Sequence, residues 1–254
     1  VLGWSMREPG AVGDRLKLNS MCGVNLAAHA LMNAGQSIRH IHGNADEPQV
    51  RTAIKDALVG KLPEASSPKP ITGELGSESD AQKALDWLRG KKIGAVGEAP
   101  IGFTPCVYDA KQIHSTFGLD IRQISIDDAF GRISEVKEEA RELAYANAVA
   151  AQPSLAAVNV EEAKKVYGVE VALDEWRKEE VLDAIAIRCW PEFPTDLGAC
   201  ICSSLGRLSD RGTVTTCERD VLGAVTMMVC ESLGSDENYL VDIVDLDASQ
   251  GLVR

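Results

Sequence analysis

Two periodicities of apolar residues alternate along the chain. Short apolar runs around Trp4 and over Ile38 to Ile41, Lys92 to Val96, Ile121 to Ile126, Ala184 to Trp190 and Thr213 to Cys217 predict strands. Between them, apolar residues at helical spacing predict helices over Val24 to Met32, Pro48 to Leu58, Asp80 to Leu88, Ala110 to Phe117, Ile133 to Ala144, Val160 to Tyr167, Leu173 to Leu182 and Val221 to Leu233. Strand and helix in alternation predict βαβ units, and hence an α/β fold with Rossmann-like parallel sheets. The Pro/Ser-rich stretch from Leu62 to Pro70 predicts a domain change, after which the alternation restarts at Lys92. The Ala184 to Trp190 run is apolar on both faces, as a central parallel strand requires, so its end should face a cleft.

Three acids stand out against this pattern. Glu218 and Asp220 follow the Thr213 to Cys217 strand where it gives way to an apolar helix, and open α/β sheets bind ligands at the carboxyl ends of their strands. Asp220 can serve as an N-cap and Glu218 as a first-turn acid, but an acid between a β-branched strand and an apolar helix calls for a partner. Asp242 interrupts Tyr239-Leu240-Val241-Asp242-Ile243-Val244, which reads as a strand. A buried carboxylate there needs a counter-charge or a metal, whereas on an edge strand it can face outward. Two such carboxylates at the ends of neighbouring elements would make a hard oxygen site suited to Mn²⁺ or Mg²⁺.

Composition narrows the function classes. Asp and Glu outnumber Lys and Arg 38 to 26, for a net charge of −12, and no basic run could follow a phosphate backbone, so nucleic acid is not an expected partner. No run approaches the ~20 apolar residues that span a bilayer, and the first residues have no signal-peptide character, so a soluble cytoplasmic chain without membrane contact is expected. Seven cysteines, with no Cys-x-x-Cys pair, suit reduced thiols rather than a disulfide framework or a structural zinc site. The four histidines, His29, His40, His42 and His114, all precede the acids and form no ligand pair with them. The loop Gly94 to Gly102 follows a strand but lacks both phosphate-binding glycine spacings, and Glu98 would repel a phosphate.

The segments Asn19 to Leu26, Ile93 to Gly97, Pro100 to Phe103, Ile187-Arg188-Cys189-Trp190-Pro191, Thr216-Cys217-Glu218-Arg219-Asp220-Val221-Leu222-Gly223-Ala224 and Leu240-Val241-Asp242 resemble, in order, signatures of the L-fucose isomerase-like and L-arabinose isomerase-like sugar isomerases. The resemblance implies that Glu218 and Asp242 bind Mn²⁺, or another divalent cation such as Mg²⁺, and exchange protons with the sugar. It places Arg188 and Trp190 on the segment lining the substrate pocket. It also implies a homo-oligomer, trimer or hexamer, and a chain from the middle of a longer protein. Residues 1–90 would close a first α/β domain, 91–232 would form a second carrying part of the active site, and 233–254 would begin a β-rich third. Where classical fucose isomerases have a Gln before the Arg, this chain has Ile187, and the family's third ligand, a C-terminal His, has no counterpart after His114. The expected activity is aldose–ketose isomerisation of a deoxyhexose, pentose or related sugar through an ene-diol. The alternatives are a non-catalytic α/β sugar-binding protein and a nucleotide-binding regulatory domain.

Overall fold

A computed structural model describes residues 1–11, 16–64, 76–235, 238–247 and 251–253. The chain divides into two compact units, one of Val1–Glu74 with Val241–Arg254, the other of Leu75–Leu240. Most of the Pro/Ser stretch expected to separate domains, from residue 65 to 70, lies outside the described residues.

The first unit pairs β1 (Leu2–Ser5) in parallel with β2 (Arg39–His42), Ser5 opposite His42. α1 (Ser20–Asn33) connects the strands and α2 (Pro48–Leu58) follows them. α2 begins on Pro48, whose fixed φ suits the first helical turn and whose missing N–H costs nothing there. Before α1, the buried Glu8 carboxylate accepts the backbone N–H groups of Lys17, Leu18 and Asn19, which ties the loop down. Residues 238–245 carry no regular secondary structure, and the expected strand through Asp242 does not form; among the described residues after 237, Leu246–Asp247 pairs, antiparallel, with Leu252–Val253.

The second unit is a doubly wound parallel sheet, as the alternation of periods implies. After α3 (Glu78–Leu88) come β3 (Lys92–Val96), α4 (Ala110–Phe117), β4 (Asp120–Ile124), α5 (Ile126–Glu135), α6 (Glu138–Ala151), α7 (Val160–Glu180), β5 (Ala184–Ile187), α8 (Cys202–Asp210), β6 (Val214–Thr216) and α9 (Val221–Ser232). The strand order is β4-β3-β5-β6, all parallel, with β6 at an edge. The pleat sends alternate residues of β5 to opposite faces. Ile185 and Ile187 pack with α5, α7 and α8 through Ile133, Trp176 and Leu208, while Ala184 and Ala186 pack with α3, α4 and α9 through Leu88, Ile113 and Met228. A fully buried central strand explains its unbroken apolar run.

Several helix ends lie a few residues from the sequence pattern and α8 was not expected; for two of the differences one side chain accounts for much. The helix expected across Ile133 to Ala144 is two helices broken at Val136 and Lys137, because Arg141 on α6 donates back to the carbonyls of Ile133 and Val136 and satisfies the C-terminal end of α5. The two helices expected on either side of Gly168 are one, α7; a Cβ at Gly168 would lie 2.2 Å from Arg141 Nη1, so the glycine makes room for that arginine. No helix among the described residues is long and apolar enough to cross a membrane.

Candidate active site

Glu218, Asp220, Arg188 and Trp190 follow the carboxyl ends of parallel strands in the second unit. β6 ends at Thr216, and the chain turns into α9 through Cys217, Glu218, Arg219 and Asp220. Glu218 and Arg219 both adopt left-handed backbone, with φ of 57° and 58°. Each such non-glycine residue costs on the order of 1–3 kcal/mol and persists only where its surroundings hold it. Here the Glu218 N–H donates to Cys189 Sγ at 3.4 Å, the Arg219 N–H to the Ile187 carbonyl at 2.9 Å, and Thr216 Oγ1 to the Asp220 carbonyl at 2.8 Å. Asp220 caps α9, its Oδ1 accepting from the Gly223 N–H at 2.7 Å, so the capping interpretation holds for this acid. Glu218 is half-buried at the head of the turn.

The segment after β5 supplies Arg188 and Trp190. Arg188 grips Glu192 with Nε at 2.9 Å and Nη2 at 2.5 Å, both side chains about one-fifth exposed. Trp190 precedes a cis peptide bond to Pro191 and leaves 52% of its surface in solvent. Gly97, which follows β3 with φ 75°, lies against this arginine: a Cβ there would come within 3.2 Å of Arg188 Cβ.

Sequence reading passed over Arg219. Only 5% of the residue is exposed. Nη2 donates to Tyr108 Oη at 3.1 Å and to Gln123 Oε1 at 3.2 Å, and the guanidinium lies 4.8 Å from the Tyr108 ring centre. Among the described residues it pairs with the largely exposed Glu98 carboxylate, at 3.8 Å, which also accepts from Gln123. Burial raises the Tyr108 phenol above its ordinary pKa, and burial followed by the negative Asp220 and Glu218 pushes the Cys106 thiol up to about 12, so neither residue is an anionic nucleophile at neutral pH. The Gly94 to Gly102 loop forms no phosphate cradle. It passes through a 3₁₀ turn at Thr104–Cys106 before α4, whose first N–H groups are already taken by the Asp109 carboxylate.

Asp242 belongs to the first unit, is exposed and lies in irregular chain, so the expected buried strand carboxylate is not what the structure contains. The polar cluster of that unit is a different one. At the carboxyl ends of β1 and β2, Ser5 Oγ lies 2.7 Å from His40 Nε2 and 2.8 Å from His42 Nδ1, and His42 Nε2 lies 2.6 Å from Asp245 Oδ1. Arg7 clasps Glu47 at 2.7 and 3.1 Å, and its hydrogen bonds hold the Glu47 carboxyl below the usual carboxylate range. The signal for this cluster was the His-x-His pattern at the end of a strand; its partner Asp245 gave none. Ser5 is fully buried, which removes it as a nucleophile. Among the described residues no three His, Cys, Asp or Glu side chains are arranged to hold a metal ion. The seven cysteines are free thiols.

No family model matches the chain. Along nearly its whole length it is similar to sulfoquinovose isomerases, which are sugar isomerases. It is 32% identical over 250 residues to that of Alkalicoccus urumqiensis, covering 97% of this chain and 51% of that protein. It is 30% identical over 263 residues to that of Priestia aryabhattai, covering 100% and 52%. The chain thus spans about half the length of the curated relatives it matches. Among solved structures it is similar to the glucose-galactose binding protein GanP of Geobacillus stearothermophilus, at 14% identity, with 93% of this chain and 92% of that chain covered; the TM-score of 0.20 lends that likeness no weight.

Proposed function

We propose that this chain is part of a cytoplasmic aldose–ketose isomerase whose substrate is sulfoquinovose or a closely related 6-substituted hexose, and that Glu218 is its proton-transfer base. The similarity to sulfoquinovose isomerases along the whole chain supports the reaction class. The observation that carries the residue assignment is the strained turn presenting Glu218 at the carboxyl ends of the sheet. The ordered resemblance to fucose isomerase-like proteins points to the same residue and to assembly as a homo-oligomer.

In this mechanism the Glu218 carboxylate removes the proton from C2 of the open-chain aldose. The C–H electrons form the C1–C2 double bond while the carbonyl oxygen takes up a proton, giving the ene-diol. Return of the carried proton to C1, with loss of the proton from the C2 hydroxyl, gives the ketose. The half-buried turn keeps the base fixed beside the substrate, and Arg188, locked by Glu192, presents a rigid wall. The divalent cation implied by the resemblance, Mn²⁺ or Mg²⁺, would take the Glu218 carboxylate as an oxygen ligand and polarise the carbonyl when bound, while Asp242, the other ligand the resemblance implies, is exposed in irregular chain of the first unit. One carboxylate is fewer donors than such an ion takes, and the described residues assemble no group of three His, Cys, Asp or Glu to hold one, so no step above runs through it.

The test is turnover of sulfoquinovose by the full-length protein in D₂O, followed by NMR. The expected result is a ketose product with solvent deuterium incorporated at the transferred position. Failure to convert any 6-substituted aldose would overturn the assignment.

A further inference from the structure

Burying an arginine is costly unless its charge is met and its five N–H donors are used. Arg219 meets both conditions only in part. Its Nε, shielded from solvent, has no hydrogen-bond partner, and the partners of Nη2, Tyr108 and Gln123, are both neutral. Among the described residues the one carboxylate within ion-pair range, Glu98, stands at 3.8 Å, beyond hydrogen-bond distance, with three-quarters of its side chain in solvent. The residue is nevertheless held in place on every side. Its backbone is left-handed and bonded to Ile187, its plane lies over the Tyr108 ring, and it sits one residue from the base, at the ends of β3 and β4 as well as β6. A rigid guanidinium with an unused donor and an exposed counter-ion, held by one hydrogen bond from Gln123 and not by the guanidinium, is built to accept a second anion, whose oxygens would take the free N–H and displace Glu98.

We propose that Arg219 is a specificity-determining residue that binds a tetrahedral oxyanion carried by the sugar, a sulfonate or a phosphate at the end remote from the carbonyl. Tyr108 and Gln123 act as positioning residues that hold the guanidinium in its plane. This rests on the isomerase reading above for the nature of the molecule bound, but not for the binding itself. Glu98 fills the role of the anion when no sugar is bound, and its exposure lets it swing away.

The experiment compares three sugars in the full-length protein: sulfoquinovose, glucose 6-phosphate and uncharged 6-deoxyglucose. kcat/KM is measured for each in the parent, Arg219→Met and Arg219→Lys. The readout is the ratio of charged to uncharged substrate, which is independent of how much variant folds. A charge-assisted hydrogen bond is worth about 1.5–3 kcal/mol, so Arg219→Met should lower the ratio for the preferred anion about 10- to 150-fold, with Arg219→Lys restoring part of it. An unchanged ratio in Arg219→Met overturns the proposal, as does a parent that prefers the uncharged sugar. If the parent turns over none of the three, the isomerase reading fails, and calorimetric binding of the same sugars then decides for Arg219. Selective binding of an anionic sugar, lost in Arg219→Met, supports it; equal binding of charged and uncharged sugars refutes it.

Discussion

His42 Nε2 lies 2.6 Å from Asp245 Oδ1, although 203 residues separate them in sequence. The contact closes the first unit, because Asp245 Oδ2 also accepts the Glu8 N–H at 3.2 Å and Oδ1 the Leu246 N–H at 2.8 Å, fixing the returning segment beside β1 and β2. Asp245→Ala leaves these donors unpaired at a site only 14% exposed, and should cost the unit about 1–3 kcal/mol. Chemical denaturation read by amide exchange in β1 and β2 measures this; a loss confined to residues after 240 would show that the segment is not structural.

The same cluster gives a pH dependence. His40 has its pKa lowered from the ordinary 6.5, first by desolvation and then by neighbouring His42, around a shared contact to Ser5. With the folded pKa below the unfolded one, the unfolded chain binds more protons between the two, so stability falls as pH drops below about 6.5. The Arg7-bound Glu47 acts in a lower window, contributing stability above 4.5 that is lost as pH falls further. His40→Gln should therefore flatten the change in melting temperature between pH 7.5 and 5.5 and leave the loss below pH 4.5 intact. An identical slope in the variant counts against the histidine.

Much of the second unit was readable because its elements follow local rules. Lys92–Val96 and Ala110–Phe117 match the pattern to the residue, since one is a short buried strand and the other is bounded by the Asp109 cap and by Gly118 in left-handed conformation. What escaped depends on contacts distant in sequence. Arg141 both ends one helix and occupies the space left by the glycine within another, and neither contact shows in a local pattern. At the site, Glu218 stood out as an acid between two apolar elements. Arg219 did not, because an arginine beside a turn is ordinary until its burial is seen. The Tyr239 to Val244 pattern has strand periodicity, but the described residues there form no ladder.

Gly94 illustrates the difference between a motif and its physical cause. In sequence it begins a glycine-rich loop; in the structure it lies inside β3, where a Cβ would fall 2.6 Å from both Trp176 and Leu182 on the α7 side of the sheet. Gly94→Ala must displace the buried Trp176 or part the sheet from α7, and should cost about 1–3 kcal/mol or more. Thermal unfolding measures it. A melting temperature within a degree of the parent would mean that α7 can shift freely, against the burial of Trp176.

Glu218→Gln separates chemistry from architecture at the strained turn. The turn is held by backbone and neighbouring groups: Glu218 N–H to Cys189 Sγ, Arg219 N–H to Ile187 O, and Thr216 Oγ1 to Asp220 O. The amide keeps the shape of the carboxylate and disturbs none of these bonds, so the turn should persist and the variant should fold. It cannot accept a proton at C2, and general-base catalysis contributes about 10²–10⁴ in rate, so kcat should fall by at least that factor with little change in KM. Asp220→Asn should behave differently, because its carboxylate serves the Gly223 N–H and an amide oxygen accepts the same bond; activity should stay near the parent with at most a small loss of helix stability. Deuterium exchange at C2 of the substrate, measured by NMR on both variants, isolates proton abstraction from product release. Exchange that survives in Glu218→Gln but is lost in Asp220→Asn would move the base by two residues and reassign Glu218 to holding the turn.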